Sequence, residues 1–221
     1  MYDTEATRYR LIEALESFDP TGADAGVTRR LLQLYQECNA RGLFGAAKRL
    51  ANMYFEGVRV PRNIEMGLQV LRLEWNTLNP FRKGQGGLEY AAALFRNGKS
   101  SEGMEVLGEM CAPDTVVLAQ DVGEGLLVMV DILTAGRHGV QKDEARAREV
   151  LGYWCNLEED EPDINKHYGA MHHRYGKILE EGVGGPVDLR GAVDAYQMAV
   201  MQGVDEAHSD MNRVVEALRK E

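Results

Sequence analysis

The chain has 221 residues, of which 44% are hydrophobic and 27% are charged. This balance is that of a folded globular protein and argues against an intrinsically disordered chain. The 25 basic and 35 acidic residues give a formal net charge of −10. That sign disfavours binding to nucleic acid or to an anionic membrane and favours a basic protein partner.

The sequence gives no indication of a membrane span or of secretion. Its most apolar stretch, Leu126–Leu133, is too short to cross a bilayer and contains Asp131. Residues 1–5 lack the basic and apolar segments of a signal peptide. Three scattered cysteines do not make a disulfide framework. We therefore expect a cytoplasmic protein, or a periplasmic one if a signal peptide has been removed.

The first predicted element is a helix over residues 1–19, in which Tyr9, Ile12 and Leu15 share one apolar face. A turn is expected over residues 17–25, which contain proline and glycine. We expect this helix to be an addition that caps the start of a repeat array.

Residues 27–42 form a predicted half-repeat, that is, a second helix without its own first helix. The segment Leu34–Gly42 aligns with Ala195–Gly203 without a gap, with tyrosine second and glycine last in both. An alanine follows each terminal glycine after four residues. The match indicates that one helical hairpin recurs along the chain.

Four complete hairpins follow, each marked by a glycine that ends its first helix. The marker glycines are Gly57, Gly98, Gly136 and Gly182. They are separated by 41, 38 and 46 residues, and a period near forty is typical of a two-helix solenoid. The predicted repeats cover residues 43–78, 84–111, 121–155 and 165–203. Residues 204–221 form a predicted C-terminal capping helix, with Asp210 on its outer face.

Residues around the marker glycines predict the ends of the helices. Each glycine follows the last apolar residue of a first helix, where a positive φ ends the helix at low cost. Asn63, Asp143 and Asp188 stand where the next helix begins and are suited to cap it. The second helices then carry apolar stripes of period 3.6, such as Val70, Leu71 and Trp75.

The best-preserved copies, Leu50–Leu71 and Tyr175–Tyr196, align without a gap at an offset of 125 residues. Each has a large apolar residue, a small residue, an apolar residue four positions after the first, a glycine, and then asparagine or aspartate. This pattern resembles the Sel1-like repeat family, a relative of the tetratricopeptide repeat. The resemblance extends over residues 27–218 and is closest in Gly182–Gly203.

The resemblance implies an all-α fold over residues 1–221. The expected form is a right-handed α/α superhelical solenoid of about four helix-turn-helix repeats with N- and C-terminal capping helices. Its first helices would line a concave groove. The implied function is a non-catalytic scaffold or adaptor that binds a protein or peptide in that groove. A variant is an acidic inhibitor or immunity-type protein that neutralises a basic toxin or enzyme.

By the same resemblance, thirteen first-helix positions would face the groove and contact the partner. They mix both charges with amide groups, which suits recognition of a polar or charged peptide. These positions are Lys48, Asn52, Phe55, Glu56, Glu89, Arg96, Asn97, Asp131, Thr134, His173, Lys177, Glu180 and Glu181.

Metal and nucleotide sites lack the spacing that their chemistry requires. The histidines His167, His172 and His173 cluster near Cys155 in the sequence, and they do not show the i, i+4 spacing of zinc ligands. The glycine-rich segments 84–87 and 182–185 lack the Lys-Ser/Thr pair of a phosphate loop. We therefore predict no metal ligands, no cofactor and no nucleotide.

A helical metal-dependent hydrolase is the rival hypothesis of another class. It would use Cys155, His167 and the acidic run Glu158–Glu161 with Asp163. Consecutive charges in a loop are more typical of a solvated linker. No local cue lowers a thiol pKa, and Cys38 occupies a small-residue core position. The sequence therefore predicts a protein that is not an enzyme and has no catalytic residues.

Overall fold

The computed structural model describes residues 5–41, 45–77, 80–112, 119–156 and 166–220. Within these ranges the chain forms eleven α-helices, a short 3-10 turn at Arg137–Gly139, and no β-strand. The helices are α1 (Glu5–Phe18), α2 (Ala25–Ala40), α3 (Ala46–Glu56), α4 (Ile64–Thr77), α5 (Pro80–Arg96), α6 (Ser100–Met110), α7 (Ala119–Ala135), α8 (Glu144–Cys155), α9 (Lys166–Glu181), α10 (Leu189–Met201) and α11 (Asp205–Leu218).

The chain divides into two compact units, Met1–Lys99 and Ser100–Glu221. The first contains α1–α5 and the second α6–α11, and within each unit successive helices pack against one another. Each predicted repeat overlaps two successive helices, namely α3 and α4, α5 and α6, α7 and α8, and α9 and α10, and residues 204–221 contain α11. The unit boundary falls inside the second predicted repeat, whose connecting loop is the shortest of the four.

The predicted helix ends are confirmed. Gly57, Gly136 and Gly182 follow first helices and have φ angles of 71°, 65° and 68°, a region that side chains other than glycine adopt at a cost. Asn63, Asp143 and Asp188 each accept a hydrogen bond from the backbone N–H three residues ahead, at 2.9–3.0 Å. Those contacts satisfy N–H groups that a helix start leaves without a partner.

Each unit has its own apolar core. In the first unit Ile12 of α1, Leu31 and Tyr35 of α2 and Leu50 of α3 form one cluster. Cys38 is completely buried in that cluster, which confirms it as a core residue. In the second unit a cluster of α9, α10 and α11 centres on Tyr196, Ala207 and Val214 and includes half-buried Met211 and Leu218.

A buried ion pair ties the α1–α2 turn to the loop between α3 and α4. Asp19 accepts hydrogen bonds from the backbone N–H groups of Ala23 and Asp24, each at 3.1 Å. Arg59 donates to the Asp19 carboxylate at 3.2 Å and to its carbonyl oxygen. Burial alone would raise the pKa of Asp19, but the two N–H groups and the Arg59 charge outweigh it and lower the pKa.

Two local expectations differ from the structure. Helix α5 begins at Pro80, before the predicted start of its repeat, and runs through Gly84–Gly87. Gly84, Gly86 and Gly87 are buried, so helix packing there overrides the low helix propensity of glycine. Asp210 was expected on the outer face of α11, but its carboxylate accepts from His173 of α9 at 2.8 Å.

Small residues in first helices set how closely the second helices approach. A Cβ at Gly176 of α9 would lie 2.6 Å from the ring of Tyr196 in α10. The equivalent positions in the first unit are Ala51 and Leu71, and both are buried. The larger ring in α10 therefore stands against the smaller residue in α9.

We expect Gly176→Ala to destabilise the protein by about 1–3 kcal/mol, because the added methyl group and the Tyr196 ring cannot occupy the same space. Chemical denaturation would measure the change. Gly108→Ala in α6 is the control: its Cβ would have no neighbour within 4 Å, so alanine should be neutral or stabilise by up to about 1 kcal/mol. Adding Tyr196→Leu should recover part of the loss, and no recovery would contradict the ring clash.

Candidate interaction surface

In the first unit, α3 and α5 are joined by a charged pair. Lys48 Nζ lies 2.7 Å from Glu89 Oε1. The Lys48 side chain is 55% exposed, whereas that of Glu89 is 16% exposed. Two residues predicted to contact a partner are therefore already paired with each other in the free protein.

A third acidic or basic group, Glu74 of α4, interacts electrostatically with both members of this pair. Glu74 is only 3% exposed, and among the described residues its carboxylate has no hydrogen-bond or ion-pair partner. Burial and, to a smaller extent, the nearby charge of Glu89 raise the pKa of Glu74, and Lys48 only partly offsets them, so that the pKa is about 7. The carboxyl group is therefore close to half-ionised at neutral pH.

In the second unit, an ion pair between an arginine and an aspartate joins α7 and α9. Arg174 Nη2 lies 2.9 Å from Asp131 Oδ1 and 3.4 Å from Thr134 Oγ1. Arg174 is equivalent to Arg49 at the 125-residue offset, and Arg49 Nη1 likewise contacts Glu16 of α1 at 3.2 Å. Each arginine thus reaches back to an acid on the preceding first helix of its own unit.

Helices α9 and α11 are joined by His173, Lys177 and Asp210. His173 Nε2 lies 2.8 Å from Asp210 Oδ2, and Lys177 Nζ lies 3.9 Å from the same oxygen. Burial would raise the pKa of Asp210, but His173 and Arg213 outweigh it and lower the pKa. His173 is 11% exposed at its side chain, so it stabilises the end of the unit more than it extends into solvent.

A Glu–Tyr–Arg cluster connects three helices in each unit. In the second unit, Tyr196 of α10 donates to Glu180 of α9 at 2.7 Å. Arg213 of α11 donates to both oxygens of Glu180, at 3.0 and 2.7 Å. Burial and the Glu180 carboxylate raise the pKa of Tyr196 above its ordinary range, so the phenol remains a hydrogen-bond donor.

The first unit contains the same cluster, because Tyr35 of α2 donates to Glu16 of α1 and Arg49 of α3 contacts Glu16. Tyr35 and Tyr196 are the tyrosines that align in the repeated sequence. Helix α1 therefore relates to α2 as α9 relates to α10. We propose that α1 is the first helix of a hairpin with α2, although the sequence suggested an added helix beside a half-repeat.

The remaining predicted partner-binding residues are partly buried or hydrogen-bonded within their own helices. Phe55 is half-buried and its ring packs on Gly67. Arg96, Asn97 and Thr134 hydrogen-bond backbone carbonyls of their own helices at 3.3, 2.8 and 2.8 Å, and Asn52 is half-buried.

Glu56 and Glu181 are exposed at equivalent ends of two helices. These equivalent acids end α3 and α9, are exposed, and form no ion pair within the described ranges. Among the acidic residues predicted to contact a partner, they have the fewest charged contacts within the described protein.

Cys155 is the member of the hydrolase hypothesis whose side chain the structure describes. Burial raises the pKa of Cys155 to about 12, so this thiol is protonated at neutral pH and a poor nucleophile. His172 is buried. The side chain of His167 and the acidic run 158–163 lie outside the described residues. Within the described ranges no three His, Cys, Asp or Glu side chains are grouped to hold a metal ion.

The described residues also contain no candidate membrane-spanning helix. Across the helices that the structure describes, none combines the length and apolarity needed to span a bilayer.

Comparison with known proteins adds information on the fold. No protein-family model matches the chain, and no curated protein matches it significantly. A Sel1 repeat protein from Oxalobacter formigenes is similar in structure, with 17% identity and a TM-score of 0.50, over 96% of this chain and 78% of that one. A protective antigen of uropathogenic Escherichia coli that displays an SLR fold has 17% identity and a TM-score of 0.53, over 97% of this chain and 42% of that one.

The chain has the Sel1-like repeat fold. The prediction of an all-α helical repeat protein is therefore confirmed. At 17% identity the similarity concerns the fold, and a fold by itself does not assign a partner or an activity. The chain also spans less than half of the antigen's chain.

Sequence reasoning missed the residues that complete the polar links of this Sel1-like repeat fold. Arg49, Arg174 and Arg213 were not predicted, nor was Glu16. The equivalence of Tyr35 and Tyr196, together with that of Arg49 and Arg174, was a signal in the sequence. The sequence does not give the tilt between neighbouring first helices, and this tilt determines which side chains of the two helices come into contact.

We expect Glu180→Gln to lower the free energy of unfolding at pH 7 by about 1–2 kcal/mol, because it weakens three charged or buried hydrogen bonds. Denaturation of the adjacent variant Glu181→Gln is the matched control and should show little change. Since the pKa of Glu180 is lowered by its partners, this stabilisation is complete above its ordinary pKa and is lost as the pH falls through the folded value. Equal effects at both positions would contradict the cluster.

For Glu74 we expect stability to depend on pH in the opposite direction. Its pKa is raised from 4.5 to about 7, so wild-type stability should fall as the pH rises from 5 to 8. Glu74→Gln should therefore stabilise the protein by about 2–3 kcal/mol more at pH 8 than at pH 5. Thermal unfolding at both pH values would test this, with exposed Asp194→Asn as control. A constant difference would place the carboxylate in solvent.

Proposed function

We propose that the protein is a non-catalytic interaction module that binds a basic protein or peptide through acidic residues on its first helices. The observation that carries the proposal is the pair of exposed, unpaired acids at equivalent repeat positions, Glu56 and Glu181. They occur on a chain whose formal net charge is −10. A basic partner would gain attraction both from the whole molecule and from these specific positions.

The intramolecular pairs support this assignment by fixing the neighbouring surface. Arg174 with Asp131, and Arg49 with Glu16, hold neighbouring helices in a defined orientation. A partner meets side chains whose rotamers are already restricted, so less conformational entropy is lost on binding. Unpaired acids within such a surface can contact a ligand without first breaking an internal ion pair.

An adaptor and an acidic inhibitor of a basic enzyme would use the same contacts. The half-buried Cys155 thiol, with its pKa raised to about 12, is a poor nucleophile at neutral pH. The identity of the captured protein would separate the two possibilities, since an inhibitor's partner loses activity on binding.

Charge reversal tests the proposed surface. We expect Glu56→Lys with Glu181→Lys to weaken binding of the native partner by more than tenfold without changing helicity, because both side chains are exposed and contribute little to folding. The control reverses Glu149 and Asp194, exposed acids of the second helices α8 and α10. Affinity capture from the native host with each form, followed by mass spectrometry and measurement of Kd, would compare them.

Salt dependence provides a second readout of the same experiment. Long-range attraction is screened over about 8 Å at physiological ionic strength, so the association rate should fall as salt increases while dissociation changes less. Equal weakening by both double variants would mean that net charge acts without a specific surface. Unchanged binding of all forms would place the interface elsewhere.

A further inference from the structure

Resting on the proposed function, we infer that Glu74 and Glu89 form a subsite for one cationic side chain, an arginine or lysine, of the basic partner. In the free protein Lys48 takes the place of that cation. The subsite lies within the first unit, between helices α3, α4 and α5.

The charges around the subsite are arranged for a monovalent cation. Glu89 lies 2.7 Å from the Lys48 ammonium group. Glu74 is 3% exposed, and its carboxylate interacts electrostatically with both Glu89 and Lys48 without a hydrogen bond among the described residues. Lys48 forms its ion pair with Glu89, so when Glu74 is also ionised the three side chains carry one uncompensated negative charge.

Repeat equivalence indicates that the fold does not need an acid at this position. Glu74 lies three residues after Leu71 in the second helix of its hairpin. The corresponding residues of the other second helices are Cys38, Met110, Trp154 and Ala199. All four are uncharged, and Cys38, Met110 and Ala199 are completely buried.

A buried carboxylate without a hydrogen-bond partner opposes folding. Its pKa of about 7 reflects that cost. The next residue, Trp75, is apolar and equally buried. Glu74 is therefore an acidic side chain, of the kind found in binding sites, in surroundings that are typical of a protein core. A ligand cation would supply the partner that the protein itself lacks.

Arginine is the cation whose shape fits best. Its planar guanidinium donates from several nitrogens at once and can pair with two carboxylates, whereas an ammonium group acts as a point charge. Lys48 is the member able to move away, because its side chain is 55% exposed on a flexible stem. Binding would then exchange an internal lysine for an external arginine at the same carboxylates.

The inference has a pH signature that a surface carboxylate would not show. Lys48 on α3 and Glu89 on α5 are the described charged groups facing Glu74, and residues 1–99 contain no histidine. A cation should bind the ionised form of Glu74. Raising the pH from 6 to 8 should therefore tighten binding about tenfold, as that form becomes predominant.

The test is an NMR titration of the full chain, labelled with 13C at the glutamate carboxyls, with N-acetyl-arginine amide. Its uncharged analogue, N-acetyl-citrulline amide, is the ligand control. We expect arginine, but not citrulline, to shift the Glu74 and Glu89 signals and to lower the Glu74 pKa. Glu74→Gln should weaken binding at least fivefold, and Lys48→Met should tighten it. Exposed Asp194→Asn is the protein control and should leave binding unchanged.

Several results would overturn the inference. They are equal shifts with arginine and citrulline, weaker binding by Lys48→Met, or saturation by calcium chloride with no response to arginine. Glu74→Gln removes a buried charge and should fold at least as well as wild type, which circular dichroism would verify. The titration uses no native partner. The subsite could therefore be disproved while charge reversal still weakens partner binding, or the subsite could be confirmed while charge reversal has no effect.

Discussion

The contact between the Tyr196 ring and the backbone of Gly176 determines much of the second unit. A side chain at residue 176 would meet the ring at 2.6 Å, so the glycine allows α10 to place a large aromatic residue against α9. The ring position then brings the tyrosine hydroxyl within 2.7 Å of Glu180. Glu180, held in this way, accepts both donors of Arg213, and through them α11 is attached to the hairpin before it.

Polar links between neighbouring first helices have a different role from ion pairs along one helix. The links formed by Arg49, Lys48 and Arg174 join residues 33, 41 and 43 positions apart in sequence. Exposed pairs of this kind contribute only about 0–1 kcal/mol each, so their main effect is on orientation. They orient neighbouring helices, whereas Glu56 and Glu181 are exposed and form no ion pair within the described ranges.

The sequence predicted the parts of the fold that depend on local chemistry. Glycine with positive φ at Gly57 and Gly182, and aspartate caps at Asp143 and Asp188, are properties of a few consecutive residues. It failed where packing between helices decides the outcome. The glycines at 84–87 lie inside α5 because the helix is buried there. Asp210 points to His173 because of where α11 lies against α9.

The candidate site shows the same division. The groove positions came from a family resemblance, which gives the face of a helix but not the neighbour that each side chain meets. Six of them, Lys48, Glu89, Asp131, His173, Lys177 and Glu180, contact charged residues of adjacent helices. Burial of Glu74 could not be predicted, since it lies on a second helix outside the expected groove and its acid character suggested solvent.

Glu74 is the point at which the sequence departs from its own pattern. Core positions in this repeat alternate between apolar and small residues, and an unpaired acid in that series works against folding at every pH where it is ionised. Local conflicts of this kind are expected at functional positions in an otherwise consistent sequence. Lys48 reduces the conflict without removing it, because its ammonium group pairs with Glu89 at 2.7 Å and only partly offsets the rise in the Glu74 pKa. The residual charge deficit is a local source of binding free energy for a cation, and it lies within the same unit and on the helix next to the exposed Glu56.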